Sequence, residues 1–303
     1  MSEITIRSLY PEDLDRVLEI EKSLTGSSRR VFLEKRLAVA TAMPDSFITC
    51  ATIDNKTVVG YGFARILEGE FGTSSIIAVL DTVGVDPEFQ GRGIGKMVLS
   101  GIERRMKKKN ISTLLTQIIW SNHVMIKFFA SAGFNLATGQ IIERNTSPLN
   151  GDARPAGVLV VVRSLKGVDI AHIDRIDTRL TGLDRSAYYA SKFREMLDGS
   201  GIRVSMVAES DGILSGFIMA RVDYGEFGQV DKAAVIDTIG VHPDYTGSGV
   251  GHALLAELIM NLSSLQVESV RTKVEHENYG LRNFLSGCGF RPSQRLLITK
   301  TIG

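Results

Sequence analysis

The chain has two cysteines, one tryptophan and seven prolines in 303 residues. Cys50 and Cys288 alone exclude a disulfide framework, and their surroundings lack the Cys/His spacing of a zinc site. Both read as reduced, buried small residues. No apolar run approaches the ~18 residues of a membrane helix, and the N-terminal MSEITIRSLYPEDLD has neither a basic start nor an apolar stretch. A cytoplasmic protein is expected, with no membrane partner. Charge of one sign is not in excess either: 35 Lys and Arg face 34 Asp and Glu, divided 18 to 16 through Asn150 and 17 to 18 after it. That balance gives no bulk attraction to nucleic acid. Five scattered histidines show no metal spacing, so no metal is expected. What remains is ordinary globular material, 44% hydrophobic and 23% charged.

An internal repeat organises the chain. Adding 156 to a residue number in the first half lands, without a gap, on a similar residue in the second: Arg7 on Arg163, Asp81 on Asp237, Asn122 on Asn278, Gly133 and Phe134 on Gly289 and Phe290. Between Gly60 and Gly95, 17 of 36 positions are identical to Gly216 through Gly251, where average usage gives about two or three. The period is too long for a solenoid unit and reads as two copies of one domain, 1–147 and 158–303. The stretch Asn145 to Gly157, with two prolines and two glycines, reads as the linker.

Each copy is α/β in pattern, with six or seven strands and four helices. Ile4 to Ser8 reads as a strand, followed by helices Asp13 to Leu24 and Arg29 to Val39, a hairpin of Phe47 to Ile53 with Val58 to Leu67, and a strand Ile76 to Val85. Gly84 inside that last strand marks a bulge or a close backbone approach. From Gly93 the stripe Ile94, Val98, Ile102, Met106 is helical. Strand Thr113 to Ile119, helix Val124 to Ala132 and strand Gln140 to Glu143 complete the copy. The run Arg104, Arg105, Lys107, Lys108, Lys109 complements the negative end of its helix. Trp120, at a strand end, reads as core or pocket wall. Glu70 and Phe71, repeated as Glu226 and Phe227, sit at a turn, where they border an acceptor site or pack one copy against the other.

The segment VGVDPEFQGRGIG, Val83 to Gly95, joins a strand to a helix through a glycine-rich turn. Gly91, Gly93 and Gly95 permit successive N–H groups and the helix N-terminus to converge on an anion, with Arg92 and Lys96 adding charge. This is a candidate diphosphate cradle, or simply a tight turn. The spacing is wrong for a dinucleotide fingerprint, and the Gly-Lys-Ser/Thr ending of a Walker loop is missing.

The run Gln90, Gly91, Arg92, Gly93, Ile94, Gly95 resembles the Q/R-x-x-G-x-G/A signature of the GNAT superfamily of N-acetyltransferases, preceded by Val85, Asp86 and Pro87. Asn122, Phe128 and Ala132-Gly133-Phe134 resemble the family's N-x5-F-[FY]-x3-G-F helix. The resemblance covers essentially the whole chain and implies two tandem acyl-CoA N-acyltransferase domains, each a mixed, mostly antiparallel sheet flanked by helices. It implies acetyl-CoA as cosubstrate and acetyl transfer to an amine by direct attack in a ternary complex. On this resemblance the backbone of Val83, Gly84 and Val85 holds the pantetheine arm and thioester carbonyl, Gln90 to Lys96, Ile94 included, bind the diphosphate, and Asn122 contacts the pantetheine side. It also implies Asp81 as the group that takes the amine proton. Strand alternation places Asp81 on the face of Val83 and Val85; the competing reading is a buried Asp that orders a bulge.

The tyrosine that commonly protonates the thiolate in this family is absent: Phe129 and Leu285 stand at its position, and His123 and Tyr279 lie on another face of their helices. The second copy retains Gly247, Gly249 and Gly251, with Ile239 and Val241 on its strand, but has Thr246, Ser248 and His252 for Gln90, Arg92 and Lys96. Copy one is therefore expected to catalyse. Copy two, with Asp237 and the pair Tyr188 and Tyr189 on the helix that in this fold commonly borders the acceptor pocket, is expected to be a second weak enzyme, a cofactor sensor or a structural partner in an intramolecular pseudo-dimer. The alternative function is a non-catalytic acyl-CoA-binding regulator or scaffold. The acceptor amine is not legible.

Overall fold

The computed structural model describes residues 4–26, 28–68, 75–147, 160–198, 204–224 and 232–303. The turns carrying Glu70, Phe71, Glu226 and Phe227 lie outside the described residues. The first half runs β1 (Thr5–Arg7), α1 (Leu14–Thr25), α2 (Arg30–Ala42), β2 (Phe47–Asp54), β3 (Thr57–Glu68), β4 (Ile76–Val85), α3 (Ile94–Lys108), β5 (Thr113–Ile119), α4 (His123–Ser131), β6 (Asn135–Leu136) and β7 (Gly139–Asn145). The second repeats it as β8 (Val160–Ser164), α5 (Ile170–Thr181), α6 (Ser186–Asp198), β9 (Met206–Ser210), β10 (Ile213–Tyr224), β11 (Lys232–Val241), α7 (Val250–Ser264), β12 (Ser269–Glu275), α8 (Tyr279–Gly287), β13 (Arg291–Pro292) and β14 (Arg295–Thr301).

The same local chemistry starts and stops these elements twice. Before α1, the Asp13 carboxylate accepts from Arg7 and from the Tyr10 amide, pinning β1 to the helix start. Before α5, Asp169 does the same with Arg163 and the Lys166 amide. Gly26 and Gly182, at φ 76° and 74°, close the two helices in the left-handed conformation that suits glycine. The expected β2–β3 hairpin turns through Asn55 and Lys56, both at positive φ.

Among the described residues two seven-stranded sheets result, in the orders β1-β2-β3-β4-β5-β14-β6 and β8-β9-β10-β11-β12-β7-β13. The halves have exchanged strands. β14 runs antiparallel to β5 over seven rungs, from Arg295 opposite Ile119 to Thr301 opposite Thr113, and β7 runs along β12 from Gly139 opposite Glu275 to Asn145 opposite Ser269. The expected strand Gln140 to Glu143 exists, but in the sheet of the second half. Alternation alone assigns its faces, not its partner, because β7 and β14 are equivalent in the repeat. Asn145 to Ser147, expected to begin the linker, is fastened to the second half: the Thr146 amide donates to Glu268 O and the Thr146 hydroxyl to Val267 O.

Each core is accordingly shared. One face of the first sheet packs Tyr61 and Phe63 against Val17, Ile20 and Leu33 of α1 and α2. The other packs Leu80 and Leu114 against Val98, Ile102 and Phe129, and takes in Ile298 and Ile302 from the far end of the chain. Ile142 from the first half enters the core of the second. Among the described residues no helix is long and apolar enough to cross a membrane.

Candidate active site

β4 and β5 are parallel neighbours, yet only Ala78 with Leu114 and Val79 with Leu115 pair across them. Beyond these rungs the strands part, leaving a slot between the C-terminal halves of β4 and β5. The Asp86 amide bonds back to Val59 O on β3, so alternation turns the N–H and C=O groups of Val83 and Val85 toward the slot and those of Gly84 toward β3. Gly84 is not the bulge. It pairs with Tyr61, and an added Cβ would lie 2.5 Å from the Tyr61 ring, so this glycine serves close approach.

The bulge sits at Asp81. Thr82 pairs with Phe63 and Leu80 with Ala64, which leaves Asp81 as the extra residue. That extra residue breaks the alternation expected from the sequence. Val83 packs toward α3, as does Val85, whose methyl an added Gly95 Cβ would approach to 3.6 Å. Asp81 points to the opposite side, where Arg65 Nε lies 2.9 Å from each of its oxygens and Arg36 Nε lies 3.4 Å from Oδ2. Its side chain has no solvent exposure. The expected sharing of a face with Val83 is therefore overturned, and the carboxylate is sealed among guanidinium groups. A second buried pair, Glu21 with Arg29, adjoins it and reaches Thr82. Together they fasten the α1–α2 corner onto the bulge. Arg36, Arg65, Glu21 and Arg29 were not singled out from the sequence; their recurrence as Lys192, Arg221, Asp177 and Arg185 was the available signal. In the second half Asp237 is held by Arg221 and Lys192 at an equivalent bulge.

At the mouth of the slot, Gly91 and Gly93 take φ of 76° and 81°, and nothing lies within 4 Å of a Cβ added to either. Gly93 caps the fifteen-residue α3 without a side-chain bond to the helix amides. The start of α3 is thus an open, electropositive concavity of the kind that takes an anion. Gly95 differs, giving room to Phe128 of α4, 2.8 Å from its would-be Cβ. The Ile94 side chain is buried in the core, so only its backbone faces the cradle. Gln90 donates to Val85 O at 3.3 Å, tying loop to strand, and Arg92 lies 5.0 Å over the Phe89 ring. Lys96 is exposed on the first turn. Asn122 Oδ1 accepts from the Met125 amide as the cap of α4, which leaves its amide group for a ligand. These residues fit a CoA-type molecule: glycines open on one side, uncapped helix amides for a diphosphate, and free strand edges for a pantetheine amide.

Phe129 is buried between Phe128 and Phe134, and Leu285 is likewise buried. Trp120, read as core or pocket wall, is half exposed beside Asn122. Tyr188 and Tyr189 are buried with Phe217, as core, so they do not present a surface to an open pocket. The second cradle retains its backbone, with Gly247 and Gly249 at φ 80° and 84°, open space around Gly247, and Gly251 against Phe284. Ile239 and Val241 correspond to Val83 and Val85 and pack on the second core. Its side chains are spent locally: the Ser248 hydroxyl donates to Tyr245 O, and His252 meets the Phe284 ring edge-on. Among the described residues no group of three or more His, Cys, Asp or Glu could hold a metal ion.

Comparison with known proteins agrees with this geometry. A family model described as Acetyltransferase (GNAT) family matches residues 14–134 and again 169–290. A [Ribosomal protein bS18]-alanine N-acetyltransferase of Haemophilus ducreyi is 24% identical over 159 residues, covering 52% of this chain and 98% of that protein. Its Escherichia coli K12 counterpart is 25% identical over 158 residues, covering 52% and 96%. Among solved structures, a tandem GNAT protein from the clavulanic acid biosynthesis pathway superposes with a TM-score of 0.70 at 19% identity, covering 99% of both chains. A GCN5-related N-acetyltransferase from Sphaerobacter thermophilus gives 0.64 at 16% identity, covering 99% and 96%. With the glycine cradle present in both halves and the family model matching each, the chain belongs to the acetyltransferase (GNAT) family and carries its fold twice.

Proposed function

We propose that the first half transfers an acetyl group from acetyl-CoA to a primary amine by direct attack in a ternary complex. The observation that carries this reading is the slot between β4 and β5, opening beside the Gly91 and Gly93 loop at the uncapped start of α3. When bound, acetyl-CoA supplies the activated thioester. The chain's own groups do the rest. The uncapped amides of α3 and the charges of Arg92 and Lys96 hold the diphosphate, and the slot edges of Val83 and Val85 pair with the pantetheine. A strand N–H turned into the slot stabilises negative charge growing on the thioester oxygen, without rearrangement at the moment of reaction. The name of the bacterial relatives, which specifies an alanine of a ribosomal protein as acceptor, supports an amine acceptor as a class.

For Asp81 the burial and the two arginines support the second of the readings above: it orders the bulge that lets β4 leave β5, as a positioning residue. The second half, with its backbone cradle intact and without the cations, is read as a weaker cofactor site and as the structural partner of the first in a pseudo-dimer. Thioester consumption with a panel of small amines and peptides having free N-termini tests the function. Acetylated product from some member is expected. Tight acetyl-CoA binding with no amine ever acetylated would instead favour the non-catalytic regulator.

A further inference from the structure

Where the exchanged strands meet, the two halves form a partly open cavity of about 300 Å³ lined by residues of both. Ile77 and Val79 of β4 and Leu115 of β5 line it from the first half, and Leu281 of α8 lines it from the second. They continue a small apolar cluster in which Leu115, Ile141 and Leu297 touch. Two charged side chains of β12 line the same space. Lys273 Nζ lies 2.7 Å from Glu275 Oε1, and Thr138 Oγ1 donates to Glu275 Oε2 at 2.7 Å. Desolvation works against the Glu275 charge, but the bonds from Lys273 and Thr138 outweigh it and hold the carboxyl below its usual range.

We propose that this cavity binds a small aliphatic α-amino acid, its side chain against Ile77, Val79, Leu115 and Leu281 and its carboxylate and ammonium groups on Lys273 and Glu275. Size supports this: at about 30 Å³ for each water-sized unit, the space suits a molecule of roughly ten non-hydrogen atoms. Charge supports it further. Lys273 and Glu275 are two apart on one strand and so share a face. A ligand with one charge would break their pair and leave one member uncompensated, whereas a zwitterion replaces both contacts at once. The repeat does not duplicate the site. At the opposite junction the residues equivalent to Lys273 and Glu275 are Gln117 and Ile119, and the buried Arg271 stands where the cavity has Leu115. One site per chain follows.

L-leucine is the probe. Titrated calorimetrically into the full chain, it is expected to bind at one site per chain. Isoamylamine and 4-methylvalerate, each lacking one of its charged groups, are expected to bind at least about tenfold more weakly, as loss of one charge-assisted contact implies. Ala137→Phe, which fills the cavity from the β6–β7 turn, is expected to abolish leucine binding, and Lys273→Met to weaken it by about tenfold or more. Circular dichroism and thermal unfolding verify that the variants fold, and Leu281→Phe replaces Ala137→Phe if the latter does not. No leucine binding, equal binding of the three probes, or binding that survives the filled cavity overturns the proposal.

Discussion

Asp81 sits where a catalytic carboxylate would be looked for, and its surroundings give it a different task. Two guanidinium groups share a carboxylate whose side chain is fully buried. Removing its charge takes a buried ionic partner from both, and breaking a buried pair from one side costs about 3–5 kcal/mol. Asp81→Asn is therefore expected to lower the urea midpoint of unfolding strongly. Whatever activity the folded fraction retains should keep its pH–rate profile. A fully stable variant with turnover lost and the basic limb of that profile displaced would mean that Asp81 handles the amine proton after all.

Among single elements, the α3 and α7 starts offer an internal control. Gly93 and Gly249 have nearly the same left-handed φ, 81° and 84°. A valine at either position meets the same backbone strain, so stability should fall comparably in both variants. Acetyl-CoA binding should not. Calorimetry is expected to find one tight site per chain, lost in Gly93→Val and little changed in Gly249→Val, because only the first cradle has Arg92 and Lys96. Two equal sites would remove the distinction. The start of α5 gives a pH prediction. The hydrogen bond from Arg163 is the main cause that holds the Asp169 carboxyl below its ordinary value of 3.8, with the Lys166 amide assisting. A carboxyl depressed in the folded state contributes stability above its unfolded value, and that contribution is lost as pH falls through the folded value. Asp169→Asn should thus lower the melting temperature at neutral pH, and the gap from the parent should close on acidification below about pH 3.8.

For the whole molecule the exchanged strands decide what can be cut. The first sheet takes its sixth strand, and Ile298 and Ile302 of its core, from the last residues of the chain. Deleting residues 295–303 removes buried side chains worth about 1.5–3 kcal/mol each and exposes the edge of β5. The expected result is loss of hydrogen-exchange protection over Thr113–Ile119, about 180 residues away in sequence, with β9 and β10 less affected. Residues 1–150 expressed alone should be unstable or should close their sheet with β7 instead. A stable, fully active fragment of that length would mean that the second half contributes nothing to the first.

Sequence alone dictates the repeat, the α/β order of each half, the hairpin and the glycine cradle, because each rests on local chemistry. Positive φ at Gly91 and Gly93 and the stripe from Ile94 to Met106 are properties of a few adjacent residues. It left the face of Asp81 wrong, since a bulge shifts alternation by one residue and depends on pairing with β3. It could not show the arginines around that carboxylate, which come from α2 and β3 and meet only in the folded chain. Nor could it say which sheet receives β7. Two strands equivalent in the repeat fit either edge by pattern, and only tertiary packing, with Ile141 against Leu297 and Gly139 passing close to Val274 O, selects the exchange.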